Sequence, residues 1–250
     1  MYVIYRKNGK YIEITKLEKE PPGKVRVSSP SRKRSDVYGS RRSDSLRRTR
    51  KTCVRCVSAG LEAFGAPLLV TLTIKGDATD AAYANDSLRR FFVRLQNRYP
   101  DSQCFFIPEL SPRGRIHFHG LIFNVPLSLG DTVNNRRVVS NGRERKERIL
   151  AKLWGEGFVD ARKTDGSTAL ANYISKYITK SKNTVMFNAM RLIRKTQGFP
   201  KEIIIRGKLA EKLAKKYSKY KPYYEWKGEH EFLGEIEKKE YFLELDKRNQ

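Results

Sequence analysis

The sequence is poor in histidine, in cysteine and in acidic residues. It has three histidines, three cysteines and 27 acidic residues against 52 Lys and Arg among 250 residues. An odd, small number of cysteines gives no disulfide framework. No stretch approaches the ~20 apolar residues that a membrane-spanning helix needs. The N-terminus lacks a basic start followed by an apolar core, so we expect no secretion signal and a protein that works inside a cell.

The shortage of acidic residues leaves a formal net charge of +25. Such an excess repels itself in a compact fold and is typical of proteins with a polyanionic partner. Nucleic acid is the first candidate, and an anionic membrane surface is the second. The hydrophobic share of 39% and the aromatic share of 11% allow a core to form and exclude a chain that is disordered throughout.

Cys53 and Cys56 form a single CxxC pair in a basic run that has a helical pattern. A zinc site needs about four ligands, and the sequence has no second pair to supply them. We therefore expect these cysteines to act as small buried hydrophobic residues, with metal or redox use as the alternative.

The N-terminal part is predicted to contain three segments. Residues 2–17 alternate around an Asn-Gly pair and predict a hairpin. Residues 20–42 are rich in Pro, Ser, Gly and Arg and are typical of a flexible basic linker. Residues 43–64 predict a helix, whose basic face suits phosphate contact or a solvated surface. This face contains Arg47, Arg48, Arg50, Lys51 and Arg55.

The rest of the chain predicts an α+β fold, with a central antiparallel sheet flanked by helices. Strands are predicted at 67–75, 103–110, 115–124, 157–163 and 202–206. Helices are predicted at 79–98, 143–154, 167–181 and 207–219, with a loop at 125–142. We divide the chain into an N-terminal part (1–64), a catalytic core (65–182) and a basic C-terminal extension (183–250).

Two of the three histidines lie in the sequence Ile-His-Phe-His-Gly at residues 116–120. Alternate residues of a strand point to the same face, so His117 and His119 share one face while their apolar neighbours pack on the other. Two neutral imidazoles side by side can bind one divalent cation. Two histidines on a polar strand face, with no metal, is the alternative.

The turn before this strand predicts a third ligand. If Ser111 pairs with Arg115 across a three-residue loop, Gly114 takes the left-handed position that such loops favour. That register places Glu109 directly opposite His117, with both side chains on one face. A bulge would break the pairing. Two imidazoles and a carboxylate would suit Mg²⁺ or Mn²⁺ as well as Zn²⁺.

A second motif, YxxK, occurs twice in succession. On a helix Tyr173, Lys176, Tyr177 and Lys180 fall along one face. A phenol ordinarily titrates near ~10 and is a weak nucleophile while protonated. A neighbouring ammonium group favours the phenolate and can also bind a phosphate. An amphipathic helix that buries its tyrosines is the alternative.

At these motifs the sequence resembles the HUH endonucleases. It is most similar to the rolling-circle replication initiators of small single-stranded DNA phages, of the microvirus and gokushovirus type, and to their plasmid or prophage relatives. The resemblance covers roughly residues 65–182. The matching stretches are LVTLT (69–73), ELSPRGRIHFHGLIF (109–123) and NYISKYITK (172–180).

The resemblance implies a metal-dependent endonuclease that nicks and joins a single-stranded DNA origin through a 5′-phosphotyrosine. His117, His119 and Glu109 are implied as ligands of Mg²⁺ or Mn²⁺, and Tyr173 and Tyr177 as nucleophiles. Thr71 and Thr73 match the first motif of the family.

Four arginines and two lysines complete the predicted site. We expect the lysines to assist the phenols or to hold phosphate, and the arginines to contact DNA. They are Lys176 and Lys180, and Arg47, Arg48, Arg113 and Arg115.

The sequence contains no GxxxxGK[ST] phosphate loop, so a host helicase and a host polymerase are the expected partners, in the cytoplasm of a bacterial host. A relaxase or single-strand transposase of the same chemistry remains an alternative function. A basic DNA-binding or packaging protein without enzymatic activity is another.

Overall fold

The structure is a computed structural model that describes residues 1–22, 43–75, 79–130, 147–180 and 191–243. Most of the predicted linker and the second half of the predicted loop at 125–142 lie outside these ranges. The chain divides into two compact units, which are Met1–Asp36 with Pro200–Gln250, and Val37–Phe199. None of the helices in the described ranges combines the length and the apolarity needed to cross a membrane.

The described elements comprise strands, α-helices and one 3₁₀ turn at Leu127–Gly130. The strands are β1 (Tyr2–Asn8), β2 (Tyr11–Leu17), β3 (Leu68–Thr73), β4 (Gln103–Leu110), β5 (Ile116–Phe123), β6 (Val159–Lys163), β7 (Arg194–Lys195), β8 (Ile203–Arg206), β9 (Tyr224–His230) and β10 (Gly234–Phe242). The helices are α1 (Ser43–Phe64), α2 (Ala81–Arg98), α3 (Glu147–Trp154), α4 (Ala169–Lys180) and α5 (Lys208–Tyr217).

The larger unit contains an antiparallel sheet in the order β6-β3-β5-β4-β7, with the histidine strand β5 at its centre. Ile116 and Phe118 are fully buried, whereas His117 and His119 are only partly buried. The alternation expected for this strand is therefore present at its first four residues. The α+β class and the central antiparallel sheet flanked by helices are confirmed.

The turn between β4 and β5 has the predicted geometry. The amide of Ser111 donates to the carbonyl of Arg115 at 2.9 Å. Gly114 has a φ of 74°, a left-handed conformation that a side chain would strain. Glu109 lies directly opposite His117, so the predicted register is confirmed.

Helices of the larger unit bury their apolar faces. Leu88, Phe91 and Leu95 of α2 are fully buried, and the ring of Phe91 meets Trp154 of α3 edge to face. Helix α1 packs against α4. On α1, Cys53 is fully buried, and this burial raises the pKa of its thiol.

The smaller unit corrects the predicted segmentation. Strand β1 pairs with β8 and β2 pairs with β10, so the first hairpin and the last strands form one sheet, ordered β8-β1-β2-β10-β9. Helix α1, assigned from the sequence to the N-terminal part, falls within the larger unit. Pairing between strands about 200 residues apart leaves no local pattern for sequence reasoning to use.

Candidate active site

Helix α4 presents two tyrosines on its open side. Ile174 and Ile178 are fully buried, whereas Tyr173 is 42% exposed and Tyr177 is partly buried. Residues four apart stack along a helix, which brings the two tyrosines together. Their hydroxyl oxygens lie 2.9 Å apart. Their rings meet edge to face, with centroids 5.7 Å apart.

The ring of His119 is held on three sides. It stacks on the ring of Tyr177 with centroids 4.0 Å apart and planes 9° from parallel. Its Nε2 lies 2.6 Å from Oε2 of Glu109, and its Nδ1 lies 3.1 Å from the hydroxyl of Thr71. An ionised carboxylate can only accept, so Nε2 donates; in the neutral ring Nδ1 then accepts from Thr71. These contacts fix the imidazole beside both phenols.

A pocket of about 220 Å³ lies between the helix and the sheet. Its described lining consists of Leu69, Thr71, His119, Asp160, Arg162, Tyr173 and Tyr177. The sequence analysis had not identified the acid and the arginine of β6, which form an ion pair at 3.1 Å. The alternation in VDARK places both on one face, but the pairing of β6 with β3 could not be read from sequence.

The second histidine of the motif is held in its neutral form. Partial burial lowers the pKa of His117, and the nearby Arg115 acts in the same direction, while Glu109 opposes them. The side chain lies opposite Thr73 on one neighbouring strand and opposite Glu109 on the other. A neutral imidazole keeps a lone pair for a cation.

Tyr177 is held as a neutral phenol. Partial burial raises its pKa above the ordinary value, and the hydrogen bond with Tyr173 and the charge of Glu109 raise it further. Arg162 acts in the opposite direction. Deprotonation of this phenol therefore calls for additional positive charge in the pocket.

The donor atoms of His117, His119 and Glu109 are of the types that divalent cations bind. Two adjacent ligands of an octahedral Mg²⁺ at ~2.1 Å would lie about 3.0 Å apart. The 2.6 Å between His119 and Glu109 is instead the length of an ionic hydrogen bond. Accordingly, no three His, Cys, Asp or Glu side chains of the described ranges form a ready metal cluster. The donor chemistry fits a cation, provided that this hydrogen bond opens.

The two lysines of the YxxK motifs differ from the tyrosines in placement. Lys176 is exposed and is not among the described residues that line the pocket. Lys180 is the last residue of α4, and its side chain lies outside the described part of the structure. The structure thus brings the tyrosines and histidines together and does not place Lys176 with them.

The four arginines predicted to contact DNA lie in two places. Arg47 and Arg48 are exposed on α1. Arg113 is exposed in the turn between β4 and β5, and Arg115 donates from Nη2 to the carbonyl of Ile74 at 2.8 Å. The structure leaves their role in DNA binding a prediction.

Comparison with known proteins places this site within a matched stretch. No curated protein and no solved structure matches the chain. Residues 67–182 match a family of replication-associated proteins, described as the ORF2 type. The matched stretch runs from before β3 to after α4, so it includes both histidines, Glu109 and both tyrosines. Over these residues the chain is similar to replication-associated proteins, which supports a role in replication.

Proposed function

We propose that this protein initiates DNA replication by cutting and rejoining single-stranded DNA with a tyrosine nucleophile. One observation carries the proposal: the hydroxyls of Tyr173 and Tyr177 lie 2.9 Å apart, and the ring of Tyr177 stacks on His119. A structural pair of tyrosines has no need of a pocket that contains a histidine, a carboxylate and an arginine.

The proposed cleavage is a transesterification. The phenolic oxygen forms a bond to phosphorus, the bond from phosphorus to the 3′-oxygen breaks, and the phenolic proton is lost while the 3′-oxygen gains one. The products are a 5′-phosphotyrosine and a free 3′-OH that can prime synthesis. The reverse reaction joins the strand. Two phenols 2.9 Å apart allow a second transfer after only a small shift.

Positive charge in the pocket favours this reaction. The guanidinium of Arg162 already acts to lower the pKa of Tyr177, and it would pair with a non-bridging phosphate oxygen. A divalent cation, Mg²⁺ or Mn²⁺, bound by His117, His119 and Glu109 would supply further charge that polarises the phosphate. Thr71 would position the imidazole of His119 through its hydrogen bond.

The match to replication-associated proteins favours replication over the related chemistry of a relaxase or a transposase. The free 3′-OH requires a host polymerase. The sequence has no phosphate-binding loop for ATP, so strand separation would require a host helicase. We place this activity in the cytoplasm of a bacterial host.

The proposal is tested by incubating the protein with end-labelled single-stranded origin DNA and Mn²⁺, followed by a denaturing gel. We expect a labelled protein–DNA adduct that withstands detergent and heat and disappears after protease treatment. Tight binding without any adduct or cut product would contradict the proposal and favour a packaging protein.

A further inference from the structure

A second and larger groove, of about 930 Å³, begins at His117 in the larger unit. The described lining includes three cationic side chains, from Lys75, Arg113 and Arg115, and no carboxylate. Phe158 also lines this groove, although its side chain is 84% exposed. A large apolar ring so open to water, among cations, calls for a ligand.

The backbone of Phe158 is tied to the strand beside the histidines. Its amide donates to the hydroxyl of Thr73 at 3.1 Å, and the amide of Thr73 donates to its carbonyl at 2.9 Å. Thr73 in turn pairs with His117 on β5. The exposed ring is therefore held one strand away from the histidine motif.

The loop that leads to Phe158 is closely packed. The indole of Trp154 donates to the carbonyl of Thr73 at 2.7 Å, and the amide of Lys75 donates to the carbonyl of Glu156 at 2.6 Å. At Gly157 a Cβ would lie 2.3 Å from the carbonyl oxygen of Thr73, so only glycine fits this approach. A ring on so well-fixed a backbone loses little entropy when a ligand stacks on it.

We propose that this groove binds single-stranded DNA next to the cleavage pocket, with one base stacked on Phe158 and the adjacent phosphates held by Lys75 and Arg113. Aromatic rings beside a positively charged groove are how proteins hold unpaired strands, because every base offers a flat face and every nucleotide a negative charge. The identity of the strand as DNA rests on the proposed function.

The charge of the lining decides between DNA and an apolar protein partner. The groove places two exposed cations, Lys75 and Arg113, beside a single exposed ring, which suits a polyanion with flat bases. A docking surface for an apolar helix would present several adjacent apolar side chains with the charges at its rim. The second possibility is kept as an outcome of the test below.

The test measures the affinity for a fluorescent oligothymidylate in EDTA, where no cutting is expected. We expect Phe158→Ala and Phe158→Leu to weaken binding by roughly 5- to 100-fold, because stacking is worth ~1–3 kcal/mol per base. Phe158→Trp should remain within about threefold of the original protein. Phe232→Ala is the matched control, because Phe232 is 69% exposed in the smaller unit, and it should change nothing.

An oligonucleotide with abasic sites separates stacking from other effects. The original protein should bind it more weakly than the intact strand, whereas the Phe158→Ala variant should lose this preference. Unchanged affinity in Phe158→Ala, or full affinity in Phe158→Leu, would overturn the proposal and favour an apolar protein partner.

The affinity test is independent of cleavage. If no covalent adduct forms but Phe158→Ala still loses affinity, the proposed function fails and the groove assignment stands. If the adduct forms and Phe158→Ala binds normally, the groove assignment fails alone.

Discussion

The ring of Tyr177 lies parallel to the imidazole of His119, with the two centroids 4.0 Å apart. The stack joins the tyrosine helix to the histidine strand within one pocket. It also partly buries the phenol, and burial is the main reason that the pKa of Tyr177 is raised. A nucleophile kept protonated in this way is silent until a phosphate and its counter-charge enter the pocket.

The double replacement His117→Ala with His119→Ala should abolish nicking while leaving DNA binding largely intact. The imidazoles would bind the cation, whereas contacts to phosphates elsewhere carry most of the affinity. Nicking on labelled DNA and gel-shift affinity are measured in parallel. Binding of Mn²⁺ to the DNA-free protein, followed by its spin-resonance signal, should also fall. Full cleavage by the double variant in EDTA would exclude metal dependence.

Replacement of Arg162 by Gln should slow adduct formation by about 10- to 100-fold. A hydrogen bond to a charged group is worth ~1.5–3 kcal/mol, and here it would be made to the reacting phosphate. Lys163→Gln is the control, because it removes the same charge from the adjacent residue, on the opposite face of β6. Equal rates for the two variants would remove Arg162 from the site.

The double replacement Arg47→Ala with Arg48→Ala should weaken DNA binding and reduce its salt slope by about 2, one unit for each phosphate contact. Point variants are preferable to deletion of the helix, because α1 buries Leu46 and Cys53. Lys212→Ala with Lys216→Ala on α5 removes the same charge from the smaller unit. A salt slope equal to that of the unaltered protein would show that this face of α1 does not contact DNA.

The smaller unit should lose stability as the pH falls from about 4.5 to about 2. The hydrogen bond from Lys16, at 2.7 Å, and the charge of Lys239 lower the pKa of Glu237 to about 2. A lowered folded-state pKa gives stability that is present above the unfolded value and is lost as the carboxylate is protonated. Glu237→Gln should therefore unfold earlier in urea at neutral pH, and the difference should vanish near pH 2. A difference that persists there would exclude this ion pair as its cause.

Local pattern was enough for much of the site. Gly114 sets the loop, the loop sets the register, and the register places Glu109 opposite His117. Likewise, helical spacing brings Tyr173 and Tyr177 to one face. Each of these relations depends on residues fewer than ten positions apart, which is the range over which strand alternation and helical period operate.

Relations between distant segments could not be predicted in this way. Arg162 enters the pocket only because β6 pairs with β3, about 90 residues earlier. Strand β10 was missed because its sequence, GEIEKKEYF, is mostly charged. Its side chains are matched across the sheet by ion pairs, such as Lys16 with Glu237 and Glu13 with Lys238, rather than by an apolar alternation.

The most direct test of the central claim is to identify the DNA-linked peptide by mass spectrometry in the original protein and in Tyr173→Phe, Tyr177→Phe and the double variant. Phenylalanine keeps the packing and removes only the oxygen. We expect each single variant to retain some single-round nicking, with the adduct on the remaining tyrosine, and to lose coupled cleavage and joining. The double variant should form no adduct. One inactive and one normal single variant would indicate a single nucleophile, whereas intact nicking with an adduct on neither tyrosine would contradict the account.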